Sequence, residues 1–133
     1  MADEVQVPIQ NDGDIVTARQ QGRQLAQEFG FKGSNLTVIA SAISEMARNI
    51  VQYAGQGEII MSRLHENRKH GILIIARDTG PGIPDIECAM RDGYSTRRSL
   101  GLGLPGARRL MDEFAIFSQV GVGTTVTMKK WLS

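Results

Sequence analysis

Apolar and polar residues alternate along the first stretch, "DEVQVPI" (3–9), as they do on a strand with one buried face, and Pro8 places that strand near a sheet edge. "NDGD" follows, an acidic and cap-rich start for a helix. Ile15, Ala18, Gly22, Leu25 and Phe29 then recur at helical spacing, and Gly30 ends the element. A second helix, capped by Ser34 or Asn35, is expected to run to about Ala54 on the stripe Leu36, Ile39, Ile43, Ala47, Ile50 and Ala54. The period then shortens. "EIIMSRLHE" and "GILIIARD" are β-rich runs joined at "NRKH", which reads as a hairpin with His65 and His70 as solvated flanking residues. Residues 80–103 hold many glycines, two prolines and several charges, the mark of a long functional loop. "LPGARRLMDEF" reads as a short helix beginning near Pro105, and "AIFSQ" and "TTVTMKKW" as two closing strands.

The order β-α-α-β-β-loop-α-β-β puts strands in adjacent pairs, so most sheet neighbours should be antiparallel. The expected architecture is an α+β two-layer sandwich: a mixed, largely antiparallel sheet with helices on one face, one domain over 1–133.

Composition narrows the function more than it narrows the fold. The chain is 41% hydrophobic, 22% charged and 5% aromatic, with a net charge of +1. Near-neutral charge and few aromatics give no reason to expect nucleic acid, and no apolar run is long enough for a membrane. Cys88 is the single cysteine, so no intrachain disulfide can form. With no basic, apolar leader at the start, the expected location is the cytoplasm.

Three places carry chemistry beyond packing. In "ISEMARNIVQYA", Glu45 and Asn49 stand four residues apart on one helix surface, roughly 140° from the centre of the apolar stripe at about 100° per residue. Met46, Val51 and Tyr53 make the helix apolar beyond that stripe, which favours a pair facing a cleft over one facing bulk water. An amide oxygen is a hard neutral ligand suited to Mg²⁺, and a carboxylate one turn away can take a proton from an attacking hydroxyl. In "IIARDTGPGI", Asp78 ends a buried strand and accepts hydrogen bonds only, so it fits the exocyclic amine of adenine. Gly80 and Gly82 let the chain turn closely beneath a base; an ordinary Asp-Gly turn remains the competing reading. In "SLGLGLPGARRL", Gly101, Gly103 and Gly106 lead into a helix whose open N–H groups suit an anion, although the spacing matches neither a Walker loop nor a dinucleotide fingerprint.

Taken in order, "EMARN", "DTGPG", "GLGLPG" and "GTT" (123–125) resemble the asparagine and glycine boxes of the GHKL ATP-binding family, over about residues 10–130. The longer stretches "SEMARNIVQYAGQGEI" and "GYSTRRSLGLGLPGARRLMDEF" are similar to the serine/threonine switch kinases of the stressosome. That resemblance implies Mg²⁺ at Asn49, Glu45 as general base, and Asp78 on the adenine amine with Thr125 helping through water. Gly80, Gly82, Gly101, Leu102, Gly103, Leu104 and Gly106 would line the base pocket and cradle the phosphates of ATP. A lid over about 84–100 would carry Arg91, Arg97 and Arg98. The implied partners are STAS-domain proteins, as substrates and scaffold, and a PP2C-type phosphatase activated by binding; a homodimer stays open. The alternatives are an anti-sigma factor with serine kinase activity and a nucleotide-dependent binding switch with little turnover.

Overall fold

In the computed structural model, residues 4–82 and 103–132 are described. Five strands, β1 (Glu4–Ile9), β2 (Gly57–Glu66), β3 (Lys69–Asp78), β4 (Glu113–Gln119) and β5 (Gly123–Trp131), form one sheet in the order β1-β2-β3-β5-β4. Every described neighbour is antiparallel, so the sheet expected to be mixed has no parallel pair among the described residues. β1 lies at an edge, where the missing N–H of Pro8 costs no ladder bond on the open side. β2 and β3 are joined through Asn67 and Arg68, whose φ values of 50° and 69° are the left-handed pair of a two-residue hairpin turn.

Three helices, α1 (Asp12–Glu28), α2 (Ser34–Asn49) and α3 (Gly103–Leu110), bring their apolar residues onto the same core as the sheet. α1 opens on a capping box: Asn11 accepts from the Asp14 backbone N–H at 3.1 Å, and the Asp14 carboxylate accepts from the backbone N–H of Asn11 in return. It closes at Phe29, with Gly30 at φ 109° turning the chain away. Neither Ser34 nor Asn35 caps α2. Gly33 takes the cap position at φ 60°, with no side-chain bond, because only a residue tolerant of that backbone can join the tight link from Phe31.

The core is continuous from helix to sheet. Ile39, Ile43, Ala47 and Ile50 of the second helical run meet Ile59, Met61, Ile72, Ile74, Val126 and Met128, all at 3% exposure or less. Each such isoleucine or methionine contributes about 1.5–3 kcal/mol. α1 approaches α2 so closely that a Cβ on Gly22 would lie 2.2 Å from Ile43 Cδ1, which explains a glycine in mid-helix.

Two element ends differ from expectation. The run expected as one helix to Ala54 changes at Asn49 into a π-helical turn, Ile50–Ala54, closed by the Gly55 N–H on Ile50 C=O at 2.8 Å. Such turns widen the backbone and accompany functional sites. α3 stops at Leu110, because Asp112 N–H bonds to Lys129 C=O at 3.0 Å and starts β4; Phe114 then pairs with Met128.

Candidate functional site

Side chains alternate across β3. Ile72, Ile74 and Ala76 are buried toward the helices, and Asp78 continues that face while Arg77 points to the other. Arg77 is answered there: its Nε donates to Glu58 Oε2 at 2.8 Å, and Gln6 Nε2 donates to Glu58 Oε1. Arg77 and, after it, Gln6 hold the Glu58 carboxyl below its ordinary 4.5. Asp78 is answered only in part. Its Oδ1 accepts from the backbone N–H groups of Gly80 at 2.9 Å and Thr124 at 3.3 Å. Its Oδ2 accepts no hydrogen bond among the described residues. The result is a half-buried carboxylate held in place through one oxygen.

Register decides which threonine shares its face. Asp78 pairs with Thr124, while Thr125 pairs with Arg77 on the opposite face. Thr125, expected to assist Asp78, thus lies on the opposite face, and Thr124 is the threonine that shares the face of the acid. Thr124 Oγ1 lies 2.9 Å from Ser118 Oγ on the next strand, so a short hydroxyl pair borders the acid. The run "GTT" offered two adjacent threonines, and a pairing partner is needed to tell their faces apart.

Glycine is required here by the chain itself. A Cβ on Gly123 (φ 147°) would lie 2.1 Å from Asp78 C=O, and one on Gly80 would lie 2.5 Å from Ala54 Cβ in the π-helical turn. The turn after α2 thus rests directly on the bend after β3. Gly82 (φ 81°) abuts the backbone of Gln119, and Pro81 C=O accepts from Gly121 N–H at 2.9 Å.

Glu45 and Asn49 lie on α2 as expected; Glu45 faces a cleft, as expected, whereas Asn49 does not line it, and Glu45 is more deeply buried than a place off the apolar stripe suggests. Glu45 is buried at 9% exposure, since α2 is covered on several sides: Ala40, Ala42, Ser44, Met46 and Ala47 are buried with it. The helical wheel placed it off the apolar stripe, and the contacts of α1 and α3 with α2 account for the difference. Arg48 Nη1 donates to Glu45 Oε2 at 2.6 Å. Glu45 lines a cleft of about 340 Å³ between the three helices, which Asn49, half-buried at the start of the π-helical turn, does not line. Gly106 lines the same cleft, Gly103 begins α3, and Leu104 packs into the core. Gly101 and Leu102, together with the expected lid and its Cys88, Arg91, Arg97 and Arg98, lie outside the described residues.

His65 and His70 face each other across the hairpin, rings stacked at 4.3 Å and 8°, and both are exposed. Among the described residues no group of three or more His, Cys, Asp or Glu is placed to hold a metal ion, and no helix is long and apolar enough to cross a membrane. A divalent ion shared between one protein amide and a nucleotide's phosphates needs no such group.

Comparison with known proteins agrees with this geometry. The model of the histidine kinase-like ATPase domain matches residues 8–130. The chain is 51% identical over 132 residues to the serine/threonine-protein kinase RsbT of Bacillus subtilis, across 99% of each chain. It is 33% identical over 105 residues to the anti-sigma F factor of Bacillus licheniformis, across 74% of this chain and 70% of that one. The anti-sigma F factor of Geobacillus stearothermophilus is 34% identical over 103 residues, 71% of this chain and 68% of its own. With Asp78 presented at the sheet end and Glu45 and Asn49 on the helix above it, the chain belongs to the histidine kinase-like ATPase domain family, and within it to the serine/threonine-protein kinases.

Proposed function

We propose that this ATP-using kinase works with Mg²⁺ on a serine or threonine of a STAS-domain stressosome protein, and after release binds and activates a PP2C-type phosphatase. The observation that carries the nucleotide reading is Asp78: one oxygen held by two backbone N–H groups, the other without a hydrogen-bond donor among the described residues. A carboxylate held that way accepts from the adenine amine, which guanine lacks at that position. Thr124 beside it supplies a hydroxyl that can hold a water against the base.

The residues present fit the metal and the transfer. Asn49 is half-buried where α2 widens, so its amide oxygen can be one of the few protein ligands that Mg²⁺ takes. The ion would neutralise charge on the phosphate oxygens during transfer. Backbone N–H groups of Gly103 and Leu104, at the start of α3, have no partner within the helix and suit phosphate oxygens. Glu45, oriented by Arg48, would take the proton of the acceptor hydroxyl as that hydroxyl's oxygen bonds to the γ-phosphorus and the bridging P–O bond breaks, ADP leaving with its electron pair.

Support for the substrate class is the end-to-end likeness to RsbT; the shorter likeness to anti-sigma F factors favours a second reading, a kinase that also sequesters a sigma factor. Mixing the protein with Mg-ATP and STAS-domain proteins, and following them by intact mass, tests the first. One added phosphate on a STAS protein is expected. An unmodified STAS protein beside a captured sigma factor would favour the second.

A further inference from the structure

Glu45 and Arg48 form an ion pair inside the helix layer. Arg48 Nη1 donates to Glu45 Oε2 at 2.6 Å, and the two side chains are 11% exposed at Glu45 and 34% at Arg48. Ion pairs three residues apart on a helix add little to stability. Taking the carboxylate out of water offsets most of what such a pair returns, so stability alone is a poor reason for it. Among the described residues Arg48 makes no second hydrogen bond or ion pair, and its guanidinium is devoted to the acid.

The helix gives Glu45 two sides. At about 100° per residue, Asn49 stands about 40° to one side of it, and Ser41 and Arg48 stand about 40° and about 60° to the other. The cleft agrees with that wheel: Ser41, Ser44, Glu45 and Arg48 line it, and Asn49 does not. Asn49 marks the nucleotide side, because the π-helical turn that follows it rests on Gly80, two residues beyond Asp78. Arg48 therefore draws the carboxylate toward the cleft and away from Asn49. Two nucleophiles compete for a γ-phosphate, a protein hydroxyl and water. Either one gives its proton to the base while its oxygen bonds to the γ-phosphorus; the bridging P–O bond breaks and ADP leaves with the electron pair. The products are phosphoprotein in one case and inorganic phosphate in the other. A base aimed at the cleft serves a hydroxyl presented from there, whereas one free to swing toward Asn49 also serves water beside the nucleotide.

We propose that Arg48 is a positioning residue that sets the acceptor: by holding Glu45 on the cleft side, it directs transfer to a protein hydroxyl and away from water. This rests on Glu45 acting as the base.

The test measures two rates with Mg-ATP in the full chain: phosphate transferred to a STAS-domain protein, and inorganic phosphate released to water. Wild type, Arg48→Ala, Arg48→Lys and Glu45→Gln are compared, each shown to be folded by a melt. In Arg48→Ala the ratio of transfer to hydrolysis should fall by about 10–100-fold, as loss of a charge-assisted hydrogen bond allows, while KM for ATP stays at the wild-type value. Arg48→Lys keeps a charge within reach of Glu45 and should lose less. Guanidinium chloride at non-denaturing concentration, against sodium chloride of matched ionic strength, should raise the ratio in Arg48→Ala and leave wild type unchanged. Arg48 is partly exposed, so the place it vacates is open to solvent. An unchanged ratio in Arg48→Ala would overturn the assignment. Transfer and hydrolysis that fall together, with no rescue by guanidinium, would overturn it as well and leave Arg48 a structural role. Full transfer by Glu45→Gln would remove the base, and the proposal with it. Wild type that releases phosphate but modifies no STAS-domain protein would instead overturn the substrate reading, and a cleft-directed acceptor with it.

Discussion

Strands β2 and β3 run side by side for their whole length, and their two ends are built differently. At the hairpin end Asn67 and Arg68 close the turn, His65 stacks on His70, and the polar groups there face solvent. At the other end Gly57 pairs with Asp78, and Gly80 and Gly123 press against backbone or the π-helical turn. There two acids stand on opposite faces of neighbouring strands. Glu58 has both oxygens engaged by Gln6 and Arg77, whereas Asp78 has one. Both ends hold the strands together, but only one leaves a fixed acceptor toward the helices. An acid whose hydrogen bonds are complete serves the sheet; one left half complete, in a setting too tight for side chains, is the one proposed above to meet the adenine.

If that difference is functional, substitutions at the two ends must separate binding and catalysis from stability. The largest effect is expected from Glu45→Gln, which should slow phosphotransfer by ~10²–10⁴-fold while ATP affinity persists. Because Glu45 is buried against Arg48, the same change should also lower stability by about 1–3 kcal/mol. Single-turnover kinetics and a denaturant melt measure both, and full activity in a folded variant would remove Glu45 from the mechanism. Gly123→Ala comes next. Its Cβ would collide with Asp78 C=O from a backbone at φ 147°, so a loss of about 2–4 kcal/mol is expected together with weakened ATP binding. At the hairpin end, His65→Ala combined with His70→Ala should cost less than about 1 kcal/mol and leave ATP affinity and transfer unchanged. A change in nucleotide affinity there would break the comparison.

The smallest effect concerns Glu58. Its folded carboxyl titrates below its unfolded value of 4.5, so the stability it lends is fully present above that value. That contribution is lost as pH falls through the folded value. Melting of wild type and Glu58→Gln should therefore differ slightly at pH 7 and converge in acid. A gap that stays constant with pH would mean the triad with Arg77 and Gln6 adds nothing.

Element order, the hairpin at "NRKH" and the place of Asp78 at the end of a buried strand were legible in the sequence, because period and glycine placement report local conformation directly. Three features were not. The face of Thr124 against Thr125 depends on which residue of β3 each one meets, and two adjacent threonines carry no periodic signal. The burial of Glu45 comes from α1 and α3 covering a side of α2 that a single apolar stripe leaves open. The π-helical turn from Ile50 packs against Gly80, a contact between segments distant in sequence that no local pattern reports. Local pattern identified the chemistry; tertiary packing selected its neighbours.

The most direct measurement is calorimetric titration of Mg-ATP into wild type, Asp78→Asn and the hairpin double variant, with Mg-GTP as the control nucleotide. Asp78→Asn replaces an obligatory acceptor with an amide and removes a charge-assisted hydrogen bond worth ~1.5–3 kcal/mol. ATP affinity should fall by about 10–100-fold in that variant, stay at the wild-type value in the hairpin variant, and exceed GTP affinity in wild type. Equal ATP affinity in all three folded proteins would mean that Asp78 is only a turn residue and that the two strand ends do not differ in function.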